Sequence, residues 1–180
     1  MRTPAIHQQN NNLLIAFLLC ALLFIACSLP AAWFTQDDAF ITFRYARNAA
    51  SGHGLRFNIS EPVPIEGFTN MFWTLALIPV FLLKLDPVIV SKLFGVLAGL
   101  GIIWYILVSV GKLTDNRGVL LTSGLLAALN GSLVMWAVSG LETVFFGLCL
   151  CAGTYHAGHL IKSKRPNQTA LLAAMWTVLA

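Results

Sequence analysis

Two adjacent carboxylates, Asp37 and Asp38, follow directly on an apolar stretch and open the one sizeable polar segment of the chain, which runs on to Asn70. Such a pair admits three uses. One acid can accept a proton from an attacking hydroxyl while the other orients it or holds a cation. Alternatively, either acid can cap a helix, where a carboxylate meets unpaired N–H groups and the positive dipole end. As a metal site alone two carboxylates are too few, and Glu66 or Glu142 would have to join them. Position favours chemistry, because the pair sits where a lipid-borne substrate would meet water.

Glu142 stands at the start of an apolar run, in Ser139-Gly140-Leu141-Glu142. An ionisable residue there is costly unless paired or functional, although a first-turn Glu also suits the helix dipole. Arg44 and Arg47 carry the guanidinium fork that matches phosphate oxygens. Arg44 is expected to hold phosphate, and Arg47, on the apolar side of its helix, to snorkel towards head groups. Tyr45 and Thr42 share a helical face with Asp38 and either line the pocket or pack. His156 and His159 also share a face, but two histidines are no metal site.

The elements that must position these residues are apolar. Of 180 residues, 58% are hydrophobic and 10% charged, and the mean hydropathy is +0.79. Charged residues make up about a quarter of a soluble domain, so an integral membrane protein is expected. The basic residues form no dense patch, which argues against a nucleic-acid partner. Cys20, Cys27, Cys149 and Cys151 lie inside apolar runs, where they act as small hydrophobes without disulfide or zinc spacing.

Four segments are long enough to cross about 30 Å of hydrocarbon, namely 13–34, 88–110, 119–138 and 141–161. The first reads as a retained anchor preceded by a solvated tail at Asn10–Asn12. A fifth apolar segment begins at Thr169 and is still in progress at Ala180. That ending suggests the N-terminal part of a longer protein, or a last helix short by design. The expected fold class is all-α: a transmembrane bundle of about five spans over residues 1–180, with a first outer loop at 35–87.

Met71–Leu85 is apolar but short. If it crossed, 8 of the 11 basic residues would fall outside, against the positive-inside tendency. If it lies in the outer interface, Arg2, Lys112, Arg117, Lys162, Lys164 and Arg165 fall inside and six of the seven acidic residues outside. The second arrangement is the expected one. Its loop then holds two interfacial helices. The first spans about 38–50, capped by Asp37 or Asp38 and stopped at Ser51-Gly52-His53-Gly54; the second is capped by Thr69 or Asn70. Gly95-x-x-x-Gly99 predicts close helix packing.

The segment 37–48, with Ser51–Asn58, Glu66-Gly67-Phe68-Thr69-Asn70, Trp73 and Ser139-Gly140-Leu141-Glu142-Thr143, resembles the linked motifs of bacterial GT-C glycosyltransferases. The chain resembles the terminal arabinofuranosyltransferases and, more distantly, lipid A aminoarabinose transferases and protein O-mannosyltransferases. The resemblance covers about residues 13–180 and does not specify a sugar. It implies a polyprenyl-phosphate sugar donor, used at the outer face of the bacterial inner membrane with the N-terminus cytoplasmic. The acceptor would be a cell-envelope glycan, lipid or protein. It also implies Asp37 as general base with Asp38 as partner, or the reverse, with a divalent cation (Mg or Mn) between them. Arg44, Tyr45, Glu66, Asn70 and Glu142 would contact substrate. Family members continue for several more spans, so the resemblance implies the N-terminal portion of such a protein. The competing expectation is a non-catalytic membrane module that binds a carrier lipid or a partner protein.

Overall fold

The computed structural model describes residues 4–61, 63, 67, 71–160 and 166–179. Among these the chain is all-helical, without strands: α1 (Pro4–Ser28), α2 (Ala39–Ala50), α3 (Met71–Leu82), α4 (Pro87–Gly111), α5 (Arg117–Ala128), α6 (Gly131–Ala137), α7 (Thr143–Leu160) and α8 (Pro166–Leu179). Among the described residues two helices are long and apolar enough to cross a membrane, Asn10–Ser28 of α1 and all of α4; α5 and α6 make a third if that bent pair is one span.

Local chemistry explains where the elements stop. Asn10–Asn12, expected as a tail, lie inside α1. The helix ends at Ser28 rather than running to Phe34, because Pro30 disfavours a helical residue before it. Single turns then carry the chain onward, with Ala32 N–H donating to Leu29 O and Phe34 N–H to Ala31 O. The stretch 119–138 is likewise not one straight helix. Asn130 accepts from Leu133 N–H at 2.9 Å and starts α6, which is bent by 51° from α5. α7 falls outside the candidate spans. Thr154, Tyr155, His156 and His159 dilute its second half.

The main core lies between α1, α4, α5 and α7 around Phe24, Cys20, Ile103 and Leu107. A Cβ on Gly95 would collide with the Ala137 carbonyl, and one on Gly99 with the Phe24 ring. The Gly-x-x-x-Gly pair therefore does what its spacing predicts: it brings α4 against the end of α6 and against α1.

A second core joins α2 to α3 through Ala39, Phe43, Ala46, Trp73, Leu77 and Val80. α3 has 12 residues, about 18 Å of helix against about 30 Å of hydrocarbon. Near its start, Phe72 stacks on Phe145 in the first turn of α7 and Trp73 meets Phe94 of α4. Near its end, Phe81 shares a cavity with Phe40 and Val88. Both ends of α3 therefore pack at one end of the bundle.

At the opposite end, Lys112 of the α4 terminus donates to Tyr155 Oη and contacts His159 Nε2, while Tyr105 Oη pairs with His156 Nε2 at 3.3 Å. The shared His156/His159 face thus tethers α7 to α4.

Candidate active site

Asp37 and Asp38 lie in a turn that leads into α2. Ala39, Phe40 and Ile41 donate their N–H groups to the carbonyls of Gln36, Asp37 and Asp38. Because these backbone donors are already satisfied, no carboxylate is needed as a cap. Asp38 occupies the N-cap position with helical φ −59° and ψ −23°, and its side chain makes no capping bond. The expected Asp cap is absent for that reason. Asp37 Oδ1 instead accepts from Gln36 Nε2 at 3.0 Å and from Asp38 N–H at 3.1 Å. Both acids are exposed. Asp38's carboxylate accepts no hydrogen bond among the described residues, so a proton, a cation or a hydroxyl can reach it.

The structure brings a distant segment against this turn. Gln36 N–H donates to Ser139 O at 2.9 Å. Gly140 has φ +89°, and a Cβ there would sit 3.2 Å from Ala39 Cβ and 3.4 Å from Ser91 Oγ. Glycine is required twice over, for its backbone angle and for this approach. Ser139 Oγ accepts from Leu141 N–H at 3.2 Å and holds the turn. Glu142, half-buried, precedes α7 and its carbonyl accepts from Phe146 N–H at 2.8 Å. Segments 36–39 and 139–142, about a hundred residues apart, thus share one corner of the molecule.

The two arginines differ in their surroundings. Arg44 Nε donates to Phe57 O at 2.7 Å and Nη2 to Asn58 Oδ1 at 2.8 Å, with its guanidinium 4.2 Å from the Phe57 ring centre. Asn58 Nδ2 passes the chain on to Glu61 Oε1 at 2.6 Å. Arg44 therefore spends its fork on folding the loop back over α2. Arg47 donates no side-chain hydrogen bond among the described residues. It lines a cavity of about 410 Å³ with Phe40, Phe43, Phe81, Val88 and the flank of Arg44. A charged head beside an apolar cavity is the arrangement that suits an anionic lipid head with its chain attached.

Tyr45 is 1% exposed and its ring packs on Phe57 at 5.7 Å. Its Oη lies 3.0 Å from where a Cβ on Gly67 would be. It packs beneath the loop, the second of the two uses its helical position allowed. Asn48, given no role from sequence, is buried and donates to Arg56 O at 2.7 Å and Phe57 O at 3.1 Å. Gly52 and Gly54, with φ +83° and +74°, form the expected helix stop. Glu66, Thr69 and Asn70 lie outside the described residues.

Among the described residues, no group of three or more His, Cys, Asp or Glu is placed to hold a metal ion. Asp37 and Asp38 thus gain no third carboxylate there. Compared with known proteins, the chain matches no family model, no curated protein and no solved structure.

Proposed function

We propose that this chain is a membrane glycosyltransferase of the GT-C type, or part of one, that moves a sugar from a polyprenyl-phosphate donor to an acceptor hydroxyl at the outer face of a bacterial inner membrane. The observation that carries the reading is the meeting of Gln36–Ala39, with its two exposed carboxylates, and Ser139–Glu142. These are two of the motifs on which the sequence resemblance rests, and catalysis would require them together.

In this reading the bundle has about five spans, α2 and α3 lie in the outer interface, and Asp37 or Asp38 is the general base. The acceptor hydroxyl would lie between the base and the anomeric carbon, with the leaving phosphate held by a guanidinium of α2. Arg47 is the better phosphate ligand, because Arg44 is committed to Phe57 and Asn58.

Proton removal by the carboxylate, attack on the anomeric carbon and departure of polyprenyl phosphate would invert the stereochemistry. Asp38 and the second oxygen of Asp37 would hold a Mg²⁺ or Mn²⁺ ion, which is commonly bound by one or two carboxylates, waters and substrate phosphate; when bound it would neutralise charge on the leaving group. Glu142 would contact the incoming sugar. In proteoliposomes supplied with labelled polyprenyl-phosphate pentoses and hexoses, the expected product is a glycoside of inverted anomeric configuration. Retained configuration would overturn the single-displacement mechanism, and carrier binding without transfer would favour a non-catalytic lipid-binding module.

A further inference from the structure

A second pocket, of about 340 Å³, lies between the turn after α1 and the start of α6. Phe34 and Trp136 supply aromatic faces; Gln36 and Ser132 supply an amide and a hydroxyl. Trp136 is 40% exposed, so part of its ring remains open. Gln36 belongs to both places at once, since its Nε2 donates to Asp37 Oδ1 at 3.0 Å. That leaves its amide oxygen for a ligand. Gly131 borders the pocket, and a Cβ there would meet nothing within 4 Å.

Electron-rich ring faces attract the polarised C–H face of a sugar. Amide and hydroxyl groups beside them match its hydroxyls. The volume lies near the lower end of the range for small-ligand pockets, about 300–1,000 Å³, which suits one ring rather than a long chain. We infer that this pocket is a carbohydrate subsite: it seats the terminal sugar ring of the acceptor on Trp136 and Phe34 and directs a hydroxyl past Gln36 towards Asp37. The inference rests on the glycosyl-transfer reading and narrows its acceptor to a glycan. Trp136 and Gln36 act as positioning residues, with proton removal left to the acids.

The test is saturation-transfer difference NMR on the intact chain in nanodiscs, titrated with methyl pentofuranosides and methyl hexopyranosides and without any donor. Trp136→Ala should weaken binding by about tenfold or more, whereas Trp136→Phe stays within about threefold of wild type. Ser132→Trp, which fills the pocket from an exposed position, should abolish binding in a folded protein. Trp33→Ala is the control, because Trp33 is 83% exposed and does not line the pocket. No binding of any sugar by the wild type, or equal losses in Trp136→Ala and Trp33→Ala, would overturn the inference and reduce Trp136 to a membrane anchor. Transfer without sugar binding would sink this subsite alone; sugar binding without transfer would sink the enzymatic reading instead.

Discussion

Gly140 joins the two halves of the candidate site, and replacing it with alanine isolates that joint. Its φ of +89° lies where an L side chain is strained, and the new Cβ would press on Ala39 Cβ at 3.2 Å. The backbone strain alone costs about 1–2 kcal/mol. Relief of the contact must push α2 away from residue 139 and lengthen the Gln36–Ser139 hydrogen bond of 2.9 Å, so a total near 2 kcal/mol is expected. For a chain of this size that lowers Tm by about 4–8 °C. A thiol-reactive dye in detergent reports unfolding directly, because Cys20 and Cys149 are both 0% exposed. Exposed Cys27 is removed first as background. Gly158→Ala serves as the control. It sits inside α7 with nothing within 4 Å of a new Cβ, and it should gain up to about 1 kcal/mol. If both variants shift Tm alike, the close approach at Gly140 does not organise this corner and the juxtaposition is refuted.

Other outcomes follow from the same contacts. Arg44→Ala removes two hydrogen bonds and a ring contact, and should cost about 1–3 kcal/mol in the same assay. Arg47→Ala should leave Tm within about 0.5 kcal/mol equivalents yet raise the KM for a polyprenyl-phosphate donor by about tenfold. Equal behaviour of the two arginines would overturn the division of labour between them. Gly95→Leu should fail to fold or lose well over about 3 kcal/mol, since its side chain would enter the Ala137 carbonyl; a stable, monodisperse variant would contradict the packing. Asp86 accepts from Val88 N–H at 2.8 Å and begins α4, so Asp86→Ala should cost about 1 kcal/mol, checked by thermal unfolding.

Much of this arrangement is legible from residue order where the cause is local. The helix at 39–50, its stop at Gly52 and Gly54, and the close approach at Gly95 and Gly99 each follow from a residue's own conformational limits or size. Breaks inside apolar runs were less visible. Mean hydropathy over 119–138 hides the α5–α6 bend, although Asn130 is a capping residue and Pro30 a stop that mark both breaks in hindsight. The roles of Arg44 and Arg47 could not be separated by helical spacing. They depend on how Phe57 and Asn58 fold back over the helix, which is tertiary. The same holds for Trp136 and Gln36, whose shared pocket exists only because Ser139 meets the turn after α1. The missing Asp cap has a similar origin, in a preceding turn that satisfies the helix donors before any side chain is needed.

The central claim is that an acid of the Asp37-Asp38 pair removes the acceptor proton. Its most direct test is the rate of polyprenyl phosphate release from a labelled donor in the presence of acceptor, for wild type, Asp37→Asn and Asp38→Asn at equal folded amounts. The account predicts a fall of about 10²–10⁴-fold for whichever acid is the base, with Tm unchanged because neither carboxylate caps α2. Wild-type rates in both variants would contradict it.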